Sequence, residues 1–243
     1  MDERSLQILK TKKQKRALLL FLVLISLAMT LQPINRKFYN LLFILSWSAL
    51  FVHLAYLSSR AYRIIMGAIF FIITLFIVSP SRDIDYQSIH ESYLKNLSSY
   101  EGCSYLWGGE NTFGIDCSGL PRKAYRRALF SYSLQSFNSE ALRLCISHWW
   151  FDSSAKAMSE NYRSYLNPIA IEGTVKDLDA SLLEKGDLAI TADGVHVIVY
   201  LKENLWIQAD PFKRKVIITD SQSGTNSWFD DEVKIYRWTN FSE

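Results

Sequence analysis

Residues 100–120, YEGCSYLWGGENTFGIDCSGL, decide how the rest of the chain is read. They describe a glycine-rich loop that delivers a cysteine to the start of a helix. Gly108, Gly109 and Gly114 lack a Cβ, so they allow tight turns and close backbone approach. Residues 117–129 suit a helix. Pro121 falls in its first turn, where a missing N–H has no helical partner to lose. Cys117 is therefore expected at a helix N-terminus. There the positive end of the helix dipole favours thiolate over thiol, and free N–H groups can hold an oxyanion. On this reading Cys117 is alkylated well below the ordinary thiol pKa of about 8.5, and loss of His196 removes that reactivity.

A nucleophilic thiol needs a base, and His196 has the best context of the four histidines. It lies in residues 194–201, GVHVIVYL, which read as a buried strand. Further strands are read at 185–191, entered from a turn, and at 205–210, 215–219 and 233–238, and the short links between them argue for an antiparallel meander of about five strands. The base needs an orienting group, and two candidates follow from register. If 195–201 and 205–210 pair through a loop of three or five residues, His196 and Gln208 share a face. A loop of two residues puts them on opposite faces, because a one-residue slip inverts every side chain. In the three-residue register Asp210 is the direct partner of His196 and Gln208 its diagonal neighbour. His90 reads as a surface residue, and His148, beside Trp149 and Trp150, as a partly buried structural one.

Upstream of this domain the chain changes character. Residues 17–81 carry only Arg36, Lys37, Arg60 and Arg63 as charges. The uncharged runs 17–35, 38–59 and 64–81 are each near the roughly 20 residues that a spanning helix needs. The first is preceded by Arg4, Lys10, Lys12, Lys13, Lys15 and Arg16. A basic N-terminus stays on the cytoplasmic side, so three crossings are expected to carry residue 82 onward to the outside. The domain organisation is thus a membrane anchor at 1–81, a linker or short helix at 82–99, and a catalytic domain at 100–243. Contact with membrane lipid is assigned to 17–81, in a multi-pass protein of the cytoplasmic (inner) membrane.

The net charge of +3 is small, and basic and acidic residues alternate in the C-terminal part. No nucleic-acid footprint is visible. Three cysteines, Cys103, Cys117 and Cys145, are too few for a disulfide scaffold, and no C-x-x-C pair or ligand cluster points to a metal or other cofactor. A Cys103–Cys145 bridge is the alternative to reading both as small buried hydrophobes.

Gly102-x-x-Tyr-x-Trp-Gly-Gly109, Asp116-Cys-Ser-Gly-Leu120, the Lys185-Gly-Asp-Leu188 turn, and His196 followed by alternating apolar residues resemble the NlpC family of papain-like cell-wall cysteine peptidases. The resemblance implies an α+β papain-like fold, with the Cys-bearing helix packed on the antiparallel sheet. It implies Cys117 as nucleophile, His196 as base and Gln208 as the polar third residue. Tyr105 is implied as an oxyanion donor, and Asp116 and Ser118 as site walls and substrate contacts. The implied substrate is the peptide stem of peptidoglycan, with no cofactor. An amidase or acyltransferase acting on another substrate, and a non-catalytic membrane scaffold, are the alternatives. The family pattern is left at two places: Pro121-Arg122 follows Leu120 at once, and residues 130–180 form a long aromatic stretch. These changes fall where substrate walls are built.

Overall fold

The structure, a computed structural model, describes residues 3–224 and 226–242. Met1, Asp2, Thr225 and Glu243 lie outside the described residues, as do the side chains of Arg4 and Lys10 from the basic cluster. The chain divides into two compact units.

The first unit is three helices, α1 (Glu3–Leu31), α2 (Lys37–Leu57) and α3 (Arg60–Val78). All three are long and apolar enough to cross a membrane, over Thr11–Leu31, Lys37–Leu57 and Arg60–Val78. They coincide with the three uncharged runs. Their large apolar side chains point outward, as at Leu20, Phe70 and Val78, which suits lipid rather than water as surroundings. The Trp47 indole N–H donates to Thr30 Oγ1 at 3.1 Å between α2 and α1, on the exposed side of the pair. Ser59 starts α3 by accepting from the Tyr62 N–H.

The second unit comprises Pro80–Glu243 together with Pro33–Asn35. It opens with α4 (Tyr86–Ser98), capped by Asp85. Within 82–99 this short helix is packed: Ile89, Tyr93 and Leu97, four apart on one face, are buried in the core. A small hairpin of β1 (Glu110–Asn111) and β2 (Gly114–Ile115) follows, then α5 (Gly119–Gln135), α6 (Ser139–Trp150) and α7 (Ala155–Ser159). The sheet is built from β3 (Leu166–Thr174), β4 (Leu188–Thr191), β5 (Val197–Lys202), β6 (Leu205–Asp210), β7 (Lys215–Asp220) and β8 (Glu232–Trp238). Its order is β3-β8-β4-β5-β6-β7, antiparallel throughout.

Alternation along the strands divides the core in two. Val197 and Val199 join Leu120, Ala124 and Ala128 of α5 in one apolar cluster, and Ile198 and Tyr200 join Trp206 and Phe229 in the other. The fold is the α+β arrangement expected, with six strands instead of about five. The sixth, β3, lies inside the 130–180 stretch. Its sequence LNPIAIEGT holds a proline and a glycine, which disguise a strand. Pro168 is tolerated because β3 is an edge strand, and the pairing with β8 is irregular between Pro168 and Glu172.

Candidate active site

Asp116, Cys117 and Ser118 sit where the glycine-rich loop turns into α5. The helix begins at Gly119 with Ser118 as its cap residue, and the Leu120 N–H already bonds the Asp116 carbonyl at 3.0 Å. Cys117 therefore occupies the entry turn of α5. The Ser118 side chain makes no capping bond. Instead Asp116 Oδ1 accepts from the Gly119 N–H at 2.5 Å and from Ser118 Oγ at 3.1 Å, while Oδ2 accepts from the Gly108 N–H at 2.8 Å. A Cβ on Gly119 would overlap the Gly109 carbonyl, so a side chain there would push the loop off the helix. Asp116 and Ser118, both expected to meet substrate, spend their polar atoms on the chain itself.

This arrangement changes the expected ionisation of Cys117. The sulfur is buried, 3.8 Å from the Val195 carbonyl oxygen. Burial, reinforced by the Asp116 charge, pushes the thiol up to about 12, against the smaller opposing pull of the Val197, Ser118 and Cys117 N–H groups. The helix end favours a thiolate, and burial together with the Asp116 charge acts against it. The anion that takes the helix N-terminus is Asp116, and a second negative charge beside it is disfavoured.

Val195 belongs to the β4–β5 hairpin, whose tip is tied by Thr191. Its Oγ1 donates to Asp193 Oδ1 and accepts from the Val195 and His196 N–H groups. Gly194 has φ 71, and a Cβ there would come within 2.9 Å of Lys156 Cα on α7. The departing segment thus packs on the hairpin that covers Cys117.

His196 lies just before β5 and is buried. Its Nε2 is 2.6 Å from Gln208 Oε1. The turn between β5 and β6 is the two-residue kind, Glu203-Asn204, which alone would put His196 and Gln208 on opposite faces. An irregularity between Tyr200 and Lys202 shifts the register by one and restores the shared face: Val199 pairs Ile207 and Lys202 pairs Leu205. Continued to residue 196, the same register leaves Gln208 diagonal to it and Asp210 opposite. Asp210 turns away, accepting from the Phe212 and Lys213 N–H groups at 2.7 and 3.0 Å to close the turn into β7. Burial pushes the His196 imidazole down to about 4, with the Gln208 hydrogen bond opposing.

The Trp228 ring stacks on His196 at 4.1 Å between centroids and 16° between planes, and Phe212 stacks on Trp228 in turn. Nothing in the sequence pattern singled out Trp228. It lies in a short helical turn, Ser227–Phe229, between β7 and β8, without periodicity to place it. Tyr105 is half-buried. Burial first, then the charges of Cys117, Asp116 and Asp210, push its hydroxyl up to about 12, so it remains a protonated donor.

Behind the loop lies a buried network equally invisible in sequence. Glu110 pairs with Arg126, and its Oε1 is 3.2 Å from Arg122 Nη1. Arg122 also pairs with Asp152. Asn35, in the link between α1 and α2, donates from Nδ2 to Glu110 Oε2 at 2.5 Å. Around it the Glu110 N–H bonds the Pro33 carbonyl at 2.8 Å, and the Asn35 N–H bonds the Gly108 carbonyl at 3.1 Å. Pro33–Asn35 thus joins the loop that holds Asp116 through a single antiparallel bridge, Ile34 with Gly109.

The remaining candidates stay outside the site. His148 is buried, its ring 3.9 Å from that of Tyr165, and burial holds it down to about 3. His90 Nε2 lies 2.6 Å from the Lys185 carbonyl. Cys103 and Cys145 are free thiols, without the bridge weighed above. Among the described residues no cluster of His, Cys, Asp and Glu has metal-binding proximity.

Residues 102–235 match the NlpC/P60 family. Solved structures with a similar arrangement include an NlpC/P60 family protein from Bacillus cereus, with 17% identity over 65% of this chain and 41% of that one and a TM-score of 0.40. NlpC1 from Trichomonas vaginalis shows 18% identity over 66% and 48%, with a TM-score of 0.41. The peptidoglycan hydrolase RipB from Mycobacterium tuberculosis shows 17% over 68% and 70%, with a TM-score of 0.40. The chain spans less than half the length of the first two. No curated protein matches the chain.

Proposed function

The chain belongs to the NlpC/P60 family of cysteine peptidases, commonly peptidoglycan hydrolases, and from that premise we propose that it is a membrane-anchored endopeptidase cleaving amide bonds in peptidoglycan stem peptides. The observation that carries the reading is the 2.6 Å bond between His196 Nε2 and Gln208 Oε1 in the domain that buries Cys117. An amide oxygen only accepts, so Nε2 holds the proton and Nδ1 keeps its lone pair. Nδ1 is then the base for the thiol.

With the thiol raised to about 12 and the imidazole lowered to about 4, both partners rest neutral at physiological pH. Proton transfer from Sγ to Nδ1 accompanies attack of sulfur on the scissile carbonyl. The Tyr105 hydroxyl and the Cys117 N–H stabilise the oxyanion. The imidazolium then gives its proton to the leaving amine, and water hydrolyses the thioester. Asp116 and Ser118 act as supports of the nucleophile's turn. The three apolar helices hold the domain at the membrane, and the basic N-terminus places that domain outside the cytoplasm.

The test is release of peptides from peptidoglycan fragments by the full chain in detergent, against Cys117→Ala. Activity of the wild type alone is expected, and equal inactivity of two folded proteins rejects the hydrolase. The burial of the Cys117 sulfur is the observation that favours the scaffold alternative, and the same assay separates the two. For orientation, a C-terminal reporter is expected to be active outside the cytoplasm, and cytoplasmic activity rejects that placement.

A further inference from the structure

Away from Cys117, a cavity of about 420 Å³ opens between α5, α6 and the β1–β2 hairpin. Three cations line it, Lys123, Arg126 and Arg127, and no carboxylate does. Arg126 is 94% buried, from its 6% exposure. Its Nη2 holds Glu110, and Nε and Nη1 have no hydrogen-bond partner among the described residues. Both atoms are sealed from solvent, so they leave the Arg126 charge under-neutralised beside the cavity rather than offering donors inside it. Glu110 offers little further neutralisation, because it is shared with Arg122 and Asn35. Lys123 makes no ion pair among the described residues. It is held below its ordinary value by burial and by the neighbouring Arg126 charge. Arg127 is exposed at the cavity and interacts with the Tyr100 hydroxyl. Phe130 and Trp149 supply apolar wall beside this charge.

We propose that this cavity is a binding site for a phosphate-ester anion, separate from the peptidase centre. Three positive charges exceed what a single carboxylate neutralises. A phosphate group brings up to two charges and several acceptor oxygens for N–H donors arranged around it. The aromatic wall takes the organic part of the ester. The same chemistry is found on a free phosphate ester and on a phospholipid headgroup.

Cys145 also lines the cavity and reports its occupancy. In the full chain carrying Cys117→Ala and Cys103→Ser it is the sole thiol. Its labelling by a maleimide is measured in detergent with inorganic phosphate or glycerol phosphate, against chloride at matched ionic strength. The thermal midpoint is read on the same samples. The proposal expects labelling to slow several-fold and the midpoint to rise with the phosphate compounds, as mass action requires of a ligand of the folded state. Both effects should vanish in Lys123→Gln/Arg127→Gln. Slower labelling in nanodiscs of phosphatidylglycerol than in those of phosphatidylcholine, again absent from the double variant, identifies a lipid headgroup as source. Labelling rates and midpoints that ignore every phosphate compound and both lipids overturn the proposal. So does an equal response of the double variant.

Discussion

At the scale of single residues, the proposed mechanism keeps Cys117 and His196 uncharged at rest. His196 is enclosed by Gln208 at its edge and Trp228 on its face. Truncating Trp228 lets water reach the ring, so the desolvation that lowers the imidazole is relieved. The acid limb of kcat/KM, expected near pH 4 in the wild type, should then move up towards the ordinary 6.5 in Trp228→Ala, and kcat should fall by up to about a hundredfold as the ring loses its alignment. A pH–rate profile checks both, and an unmoved limb shows that Trp228 does not set the environment of His196. Gln208→Ala leaves a buried N–H without an acceptor, a cost of roughly 1–3 kcal/mol. It should depress kcat more than it raises KM, since orientation of the base matters most during proton transfer.

At the scale of elements, the loop that carries Asp116 is completed by a piece of chain distant in sequence. Pro33–Asn35 contributes two backbone hydrogen bonds and the Asn35–Glu110 contact. Asn35→Ala in the full chain leaves Glu110 with one donor fewer in a buried ionic network. It should cost roughly 1–3 kcal/mol, read as a lower thermal midpoint of the Pro80–Glu243 unit. A fragment starting at residue 82 lacks all three interactions and should be less stable still. A fragment as stable as the intact unit would show that the added bridge is ornamental. The irregularity between Tyr200 and Lys202 acts at the same scale: it converts an unfavourable two-residue turn into the register that lets His196 meet Gln208.

At the scale of the molecule, two buried histidines make stability depend on pH. His196 and His148 titrate at about 4 and about 3 when folded, against an ordinary 6.5. Between those values the unfolded chain binds protons that the folded chain excludes, so stability rises with pH in that window and falls on acidification. The loss should begin as pH drops below about 6.5 and continue to about 4 for His196 and about 3 for His148. Above 6.5 these groups contribute no slope. His148→Phe keeps a ring against Tyr165 and removes one of the two protons. Its thermal midpoint should therefore fall less steeply between pH 7 and 5 than that of the wild type, and parallel curves would exclude His148 as a source of the slope.

Much of this protein was legible in its sequence because the decisive signals are local. Apolar runs set the three helices and most strands, and the glycine-cysteine motif placed Cys117 at a helix start. The pairing of His196 with Gln208 was legible only as a choice between registers, since parity depends on a bulge that no residue in 200–202 announces. β3 was hidden because an edge strand tolerates Pro168 where an inner one would not. Trp228, the Pro33–Asn35 bridge and the Glu110 network were out of reach, because each joins segments tens of residues apart and leaves no periodic trace. The protonation of Cys117 belongs with them. Helix position favours a thiolate, but burial and the charge of Asp116 raise its cost further, and only the tertiary structure decides how much water and which neighbouring charge a buried sulfur meets.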